Sequence, residues 1–242
     1  MPDKSLHTGK SYGFCNGVFC LYGYYGYSGR GRFILWNPAT REVKFIPLPP
    51  HNPFELEESG LLHGFGVDLN TNDFKLVKSN IDLDNQLHPV SSAQVYNLST
   101  NSWTLIHDVT LPPIKQVCLG HETHNALSNG IYHWLIGYDD GGFAYILCFD
   151  FRTNKFSKLR GPIAAINDGL FMRDYVAEID GSIAYVALYD NPKLLTIWVM
   201  NQHGWAKKHT IWRPDPRDSY LLHFEGWFSI HRRKAQKTAD TI

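Results

Sequence analysis

Residues 129–159 read NGIYHWLIGYDDGGFAYILCFDFRTNKFSKL. An Asn129-Gly130 turn feeds an aromatic run, Ile131 to Tyr138, and the loop Asp139-Asp140-Gly141-Gly142 leads to a second run, Ala144 to Phe151. A short turn at Arg152-Thr153-Asn154 opens a third, Lys155 to Leu159. Asn-Gly and Asp-Gly tolerate the positive φ of tight hairpins, and Tyr, Trp, Ile and Phe suit a pleated, half-buried surface. The stretch therefore predicts three antiparallel strands at 131–138, 144–151 and 155–159.

The remaining segments are looser copies of this one. Twenty-one residues separate Asn16 of an Asn16-Gly17 turn from Asn37, Asn129 from Asp150, and Asp180 of Asp180-Gly181 from Asn201. A further copy spans Leu61 to Ile106, with Asn70-Thr71-Asn72-Asp73 in place of the Asn-Gly turn and a long inner loop, Asn80 to Ser92. The markers Asn16, Thr71, Asn129 and Asp180 lie 55, 58 and 51 residues apart, near the period of about 50 residues expected of kelch-type blades. The fold predicted is all-β, a kelch-like β-propeller of four-stranded antiparallel blades, with further strands at 18–24, 33–37, 43–48, 94–98 and 196–200. A bulky residue follows each Asx-rich turn between third and fourth strands: Phe45, Trp103, Phe156 and Trp205. Trp103 and Phe156 are expected to be buried at equivalent places in adjacent blades. Tyr220 to Ile230, turning at Glu225-Gly226, reads as the opening hairpin of a fifth blade, so the propeller is expected to be incomplete at the C-terminus. The organisation predicted is an N-terminal segment 1–12, a propeller domain 13–230 of four blades and a half blade, and a solvated tail 231–242.

Composition narrows the function. The 242 residues are 43% apolar and 14% aromatic, enough for one sizeable core. Lys+Arg and Asp+Glu both number 23, so no net field steers the chain towards nucleic acid or an anionic membrane. Neither a signal peptide nor an apolar run long enough to span a bilayer is evident, and a cytoplasmic protein is expected, with the nucleus also open to it. Cys15, Cys20, Cys118 and Cys148 lack CxxC spacing and read as reduced, buried thiols.

Five segments in order carry a resemblance to a known family: Asn37-Pro38-Ala39-Thr40-Arg41 with Ile46-Pro47-Leu48-Pro49; Gly64-Phe65-Gly66-Val67-Asp68 running to Asp73-Phe74-Lys75-Leu76-Val77; Val95-Tyr96 to Asn101-Ser102-Trp103; Ile146 to Asp150; and Ile197-Trp198-Val199-Met200. Together they resemble the F-box-associated domain of plant F-box proteins, most closely the S-locus F-box group, over about Phe14 to Trp212. The resemblance implies a substrate-capturing domain of a cullin-RING ubiquitin ligase. It also implies that the Skp-type adaptor and cullin are reached only through an F-box, which is absent from this stretch. In the S-locus group the captured substrates are stylar S-ribonucleases, and the expected partner is accordingly a protein substrate of that kind.

Catalytic and metal chemistry find little support in the residues. His121-Glu122-Thr123-His124 places its histidines three apart, on opposite faces of a strand, and lacks the helical HExxH spacing of zinc proteases. No GxSxG elbow and no phosphate loop GxxxxGK[ST] occurs. Neither an enzyme nor a cofactor or metal is expected. Two readings remain: a protein-capture module, and a propeller that binds a glycan or small molecule without a ligase role. Alternation along four-stranded blades puts the second-to-third loops and the links between blades at one end. Tyr25, Tyr27, Arg30, Arg32, Asp82, Asp84, Asp139, Asp140, Arg213 and Arg217 fall there and are the predicted partner-binding residues, since recognition concentrates in loops on rigid scaffolds.

Overall fold

The structure is a computed structural model that describes residues 6–25, 31–49, 61–80, 92–107, 109, 116–117, 125–138, 143–162, 170–191 and 194–212. Every regular element in them is a strand. The first sheet holds β1 (Leu6–Cys15), β2 (Val18–Tyr25), β3 (Arg32–Asn37) and β4 (Glu42–Phe45), and the second β5 (Leu61–Asp68), β6 (Asp73–Asn80), β7 (Ser92–Asn97) and β8 (Ser102–His107). The third holds β10 (Asn125–Ser128), β11 (Ile131–Tyr138), β12 (Ala144–Asp150) and β13 (Lys155–Arg160), with β9 (Gln116–Val117) also paired to β11. The fourth holds β14 (Leu170–Ile179), β15 (Ser182–Asn191), β16 (Leu194–Asn201) and β17 (Gly204–Trp212). Each sheet runs in chain order and is antiparallel throughout, as blades of a propeller do. The strands predicted at 131–138, 144–151 and 155–159 are β11, β12 and β13 to within a residue.

Turn chemistry sets the register. Asn16, Asn129 and Asp180 take φ of 47°, 51° and 50°, each followed by a glycine with φ of 81°, 72° or 80°. Cys15 thus pairs with Val18, Ser128 with Ile131, and Ile179 with Ser182 across two-residue loops, the arrangement whose twist matches the flanking strands. Four-residue loops join Asp68 to Asp73, Asn37 to Glu42, Asn97 to Ser102 and Asp150 to Lys155, each with its last residue left-handed: Asn72, Arg41, Asn101 and Asn154. The Asx residue before such a loop accepts a backbone N–H two residues on, as from Asn70 to Asp68 at 2.9 Å and from Arg152 to Asp150 at 2.8 Å.

With the register set, four cross-strand ladders repeat. They are Phe14–Phe19–Trp36–Val43; Phe65–Leu76–Tyr96–Trp103; Leu127–Tyr132–Phe149–Phe156; and Glu178–Ile183 beside the pair Met200–Trp205. The second packs on Cys15, Cys20, Phe33 and Leu35 of the first blade, the third on Leu62, Val77, Ala93 and Val95 of the second, and the fourth on Ala126, Ala144, Ile146 and Cys148 of the third. The core is thus a set of layers between blades. Indole N–H groups tie the layers: Trp103 donates to the Pro47 carbonyl at 2.7 Å, Trp134 to His63 at 3.0 Å and Trp205 to Arg160 at 2.7 Å.

Three expectations are corrected. Trp103 and Phe156 do hold equivalent places, but as outermost ladder members they are half-buried; the fully buried aromatics are further in, at Tyr96, Tyr132, Trp134 and Phe149. Val43, not Phe45, is the first blade's counterpart of Trp103, because Trp36 pairs with Val43 and Phe45 with Ile34. Strands β1, β5, β10 and β14, each lying inside the turn that opened the repeat, were not on the predicted strand set. Each period of the repeat corresponds to one four-stranded sheet.

Cys15, Cys20 and Cys148 are free, buried thiols, and burial pushes each up, Cys148 to about 12. Cys118 lies outside the described residues. Glycines on β5 let the third blade approach: a Cβ on Gly64 would stand 2.8 Å from Trp134, and one on Gly66 would overlap Phe151. Gly66→Ala should therefore destabilise the chain by about 1–3 kcal/mol through overpacking, and Phe149→Ala by about 3–5 kcal/mol through the cavity it leaves. Urea unfolding curves measure both, and losses below about 0.5 kcal/mol would contradict the packing described.

Candidate functional site

The two ends of the barrel differ in kind. At one end the short Asx turns of successive blades meet: Ser128 Oγ and Asn129 Nδ2 donate to the Gly181 carbonyl at 2.8 and 3.0 Å, and Gly130 sits against Leu69. Lys75 is buried there. Its ammonium reaches Asp68 Oδ2 at 2.9 Å, the Phe151 carbonyl at 2.8 Å and Asn154 Oδ1 at 3.2 Å, tying the second blade to the third. Burial alone would raise the Asp68 carboxyl, but hydrogen bonds from Lys75, Asn70 and Thr71 and the Lys75 charge more than offset it, and it lies below its ordinary value. Lys75, Ser128 and Asn129 of this end thus join neighbouring blades, while Asp73, Asp150 and Arg152 bond within their own blade.

At the opposite end the β2–β3, β6–β7, β11–β12 and β15–β16 connections emerge, together with the links from one blade to the next. Among the predicted partner-binding residues, Tyr25 closes β2 and Arg32 opens β3, where Arg32 pairs with Gly23 and is exposed. Tyr27, Arg30, Asp82, Asp84, Asp139, Asp140, Arg213 and Arg217 lie outside the described residues, as does His121-Glu122-Thr123-His124. Among the described residues no group of three or more His, Cys, Asp or Glu could hold a metal ion.

The structure adds residues at this end that loop-reading passed over. Arg160, exposed at the end of β13, stacks its guanidinium 3.3 Å from the Phe143 ring centroid, and Lys158 sits 4.3 Å over Tyr145. A cation on an aromatic face is held without losing its charge, a common anchor in protein recognition. Beside them Asp174 of β14 accepts hydrogen bonds from Tyr185 OH at 2.6 Å and Tyr138 OH at 3.0 Å. Burial raises the Asp174 carboxyl above its ordinary value despite both hydroxyls, and the same burial with the Asp174 charge drives Tyr185 up. No loop signal marks these groups: Asp174 and Arg160 are in strands, and only the pairing of Tyr145 with Arg160 brings the latter beside Phe143.

A carboxyl raised by folding adds stability below its unfolded value near 4, and this contribution is lost as pH rises through the folded value. Asp174→Asn keeps an acceptor for both tyrosines without the charge. Its stability relative to the parent should therefore improve between pH 4 and pH 7, measured by urea unfolding at both. Asp174→Ala, which strands two hydroxyls, should cost about 1–3 kcal/mol. Parallel pH profiles for parent and Asp174→Asn would contradict this.

The family described as the F-box associated beta propeller domain matches residues 3–234. Among curated proteins of Arabidopsis thaliana, F-box protein CPR1 is 24% identical over 208 residues, covering 77% of this chain and 49% of that protein. F-box protein At2g17830 is 26% identical over 179 residues, covering 71% and 43%, and F-box protein At1g11270 is 28% identical over 193 residues, covering 73% and 58%. The chain thus spans about half the length of these relatives. A luciferin-regenerating enzyme superposes over 83% of this chain and 60% of its own at 12% identity with a TM-score of 0.39, too loose to carry an argument. No helix of the described residues is long and apolar enough to cross a membrane.

Proposed function

Because the chain belongs to the F-box-associated β-propeller family, we propose that it captures a protein substrate for a cullin-RING ubiquitin ligase and is not itself an enzyme. The observation that carries the reading is the family match across residues 3–234. An F-box in the same polypeptide would supply the Skp-type adaptor and cullin; this chain supplies the grip. The finer proposal, resting on the S-locus motifs of the sequence, is that the substrate is an S-ribonuclease, met in the cytoplasm. No part of the proposal needs a cofactor, a nucleic acid or a membrane.

The binding surface in this proposal is the loop end, with Tyr25, Tyr27, Arg30, Arg32, Asp82, Asp84, Asp139, Asp140, Arg213 and Arg217 joined by the Arg160–Phe143 stack. Two supports bear on the choice of end. At the short-turn end the side chains of Lys75, Ser128 and Asn129 are engaged in contacts between blades, whereas the loop end is where chain length varies from blade to blade. Tyrosine and arginine, enriched among the proposed residues, are the side chains that most often dominate a protein interface.

Immobilised chain challenged with purified S-ribonucleases, and with a panel of sugars in thermal unfolding, separates the protein reading from a glycan-binding one. Capture of the ribonuclease should fall at least tenfold in Tyr27→Ala, Arg30→Glu and Arg213→Glu and hold within twofold in Arg41→Glu and Lys155→Glu at the short-turn end. Loss of capture confined to the short-turn variants would overturn the choice of end. Thermal stabilisation by a sugar with no protein retained would overturn the function.

A further inference from the structure

We propose that Asn16-Gly17, alone among the three Asx-Gly turns of the described residues, is a site of spontaneous covalent modification: deamidation of Asn16 to aspartate and isoaspartate. The Gly17 backbone nitrogen attacks Asn16 Cγ, and the new N–C bond closes a five-membered imide. The Cγ–Nδ2 bond breaks, and ammonia leaves with the proton that Gly17 gives up. Water then opens the ring. Cleavage between Cγ and the nitrogen yields aspartate; cleavage between the main-chain carbonyl and the nitrogen yields isoaspartate.

The reaction needs the side-chain carbon and the next peptide nitrogen brought together, so its rate depends on how freely the carboxamide and that peptide can turn. Backbone conformation does not separate the three turns, whose φ pairs are 47° and 81°, 51° and 72°, and 50° and 80°. Their contacts do. Asn129 Nδ2 donates to the Gly181 carbonyl of the fourth blade at 3.0 Å, and Gly130 is buried, where a Cβ would stand 3.0 Å from Leu69 of the second. The Phe151 N–H donates to the Gly130 carbonyl at 3.1 Å, as the Leu98 N–H does to the Phe74 carbonyl at 3.0 Å in the second blade. Asp180-Gly181 is held as well, because the Gly181 nitrogen that would attack donates instead to Glu178 Oε1. In the first blade the place of Leu98 and Phe151 is taken by Pro38, which has no N–H to give Gly17. Asn16 and Gly17 are exposed, nothing lies within 4 Å of a Cβ on Gly17, and among the described residues the Asn16 carboxamide has no hydrogen-bond partner. Phe14, two residues before the turn, is 56% exposed. A hairpin with so few contacts opens locally more readily than the other two.

Isoaspartate runs the chain through its side chain and adds a methylene to a two-residue loop, which loosens the Cys15–Val18 pairing that closes the hairpin. For the test, the full 242-residue chain is held at mildly alkaline pH, folded or unfolded in urea, and digested with trypsin, which releases residues 11–30 and 116–152 as separate peptides. Mass spectrometry reads the exchange of NH for O at each asparagine, and methyl transfer by a protein isoaspartyl methyltransferase reads isoaspartate. In the folded chain Asn16 should convert at least tenfold faster than Asn129, and in urea the two should convert at similar rates. Asn16→Gln should remove methyl acceptance from the folded chain. Pro38→Ala, which restores an N–H opposite Gly17, should slow Asn16 at least threefold. Equal rates at the two asparagines of the folded chain, whether both fast or both slow, overturn the proposal. A difference that persists undiminished in urea also overturns it, since it would then belong to the neighbouring residues and not to the fold.

Discussion

The structure depends on apolar sheet faces pressing together between blades. A single four-stranded sheet with two apolar faces has no inside of its own, so each blade is stable only through its neighbours, as in other repeat arrays. The Phe65–Leu76–Tyr96 and Tyr132–Phe149 ladders are the contacts at the first two junctions. Tryptophan indoles of the outer strands β8 and β17 then tie the second and fourth blades to the previous blade's backbone. Glycines at 64 and 66 permit the closest approach, and Lys75 locks it from the short-turn end.

This division of labour bears on recognition. A blade whose two faces pack on its neighbours presents only its ends, and a rigid scaffold lets the longer loops at one of them hold partner-binding groups in place. Asp174, Tyr138 and Tyr185 stiffen the junction of the third and fourth blades just below that end. Arg160 on Phe143 offers a charge whose position is set by a strand rather than by a loop. Within the proposed capture role, such residues would provide the constant part of a surface whose loops choose the partner.

How much of this was legible follows from the physics of each element. Asn-Gly and Asp-Gly turns force a left-handed backbone, so Asn16, Asn129 and Asp180 announced their hairpins and the 21-residue phase that relates them. Strands β11, β12 and β16, apolar and aromatic, were equally plain. Inner strands were not. Leu6–Cys15 carries Thr8, Lys10, Ser11 and two glycines, and Leu170–Ile179 carries Arg173, Asp174 and Glu178, so neither shows the alternation that a strand with one wet face shows. Burial of outer aromatics was overread because the sequence does not say which strand of a blade is outermost. The partners that Lys75 and Asp174 find in another blade, Phe151, Asn154 and Tyr138, were invisible because they lie 36 to 79 residues away. The loop residues proposed for capture were legible as positions at one end, not as an arranged site.

Amide hydrogen exchange of the chain alone and saturated with its captured protein tests the central claim most directly. Protection on binding should fall in the segments bounded by β2 and β3, β6 and β7, and β11 and β12, together with Phe143 and Arg160. The turns at Asn16, Asn72, Asn129 and Asp180 should exchange as before. Protection centred on those turns, with the loop end unchanged, would contradict the account.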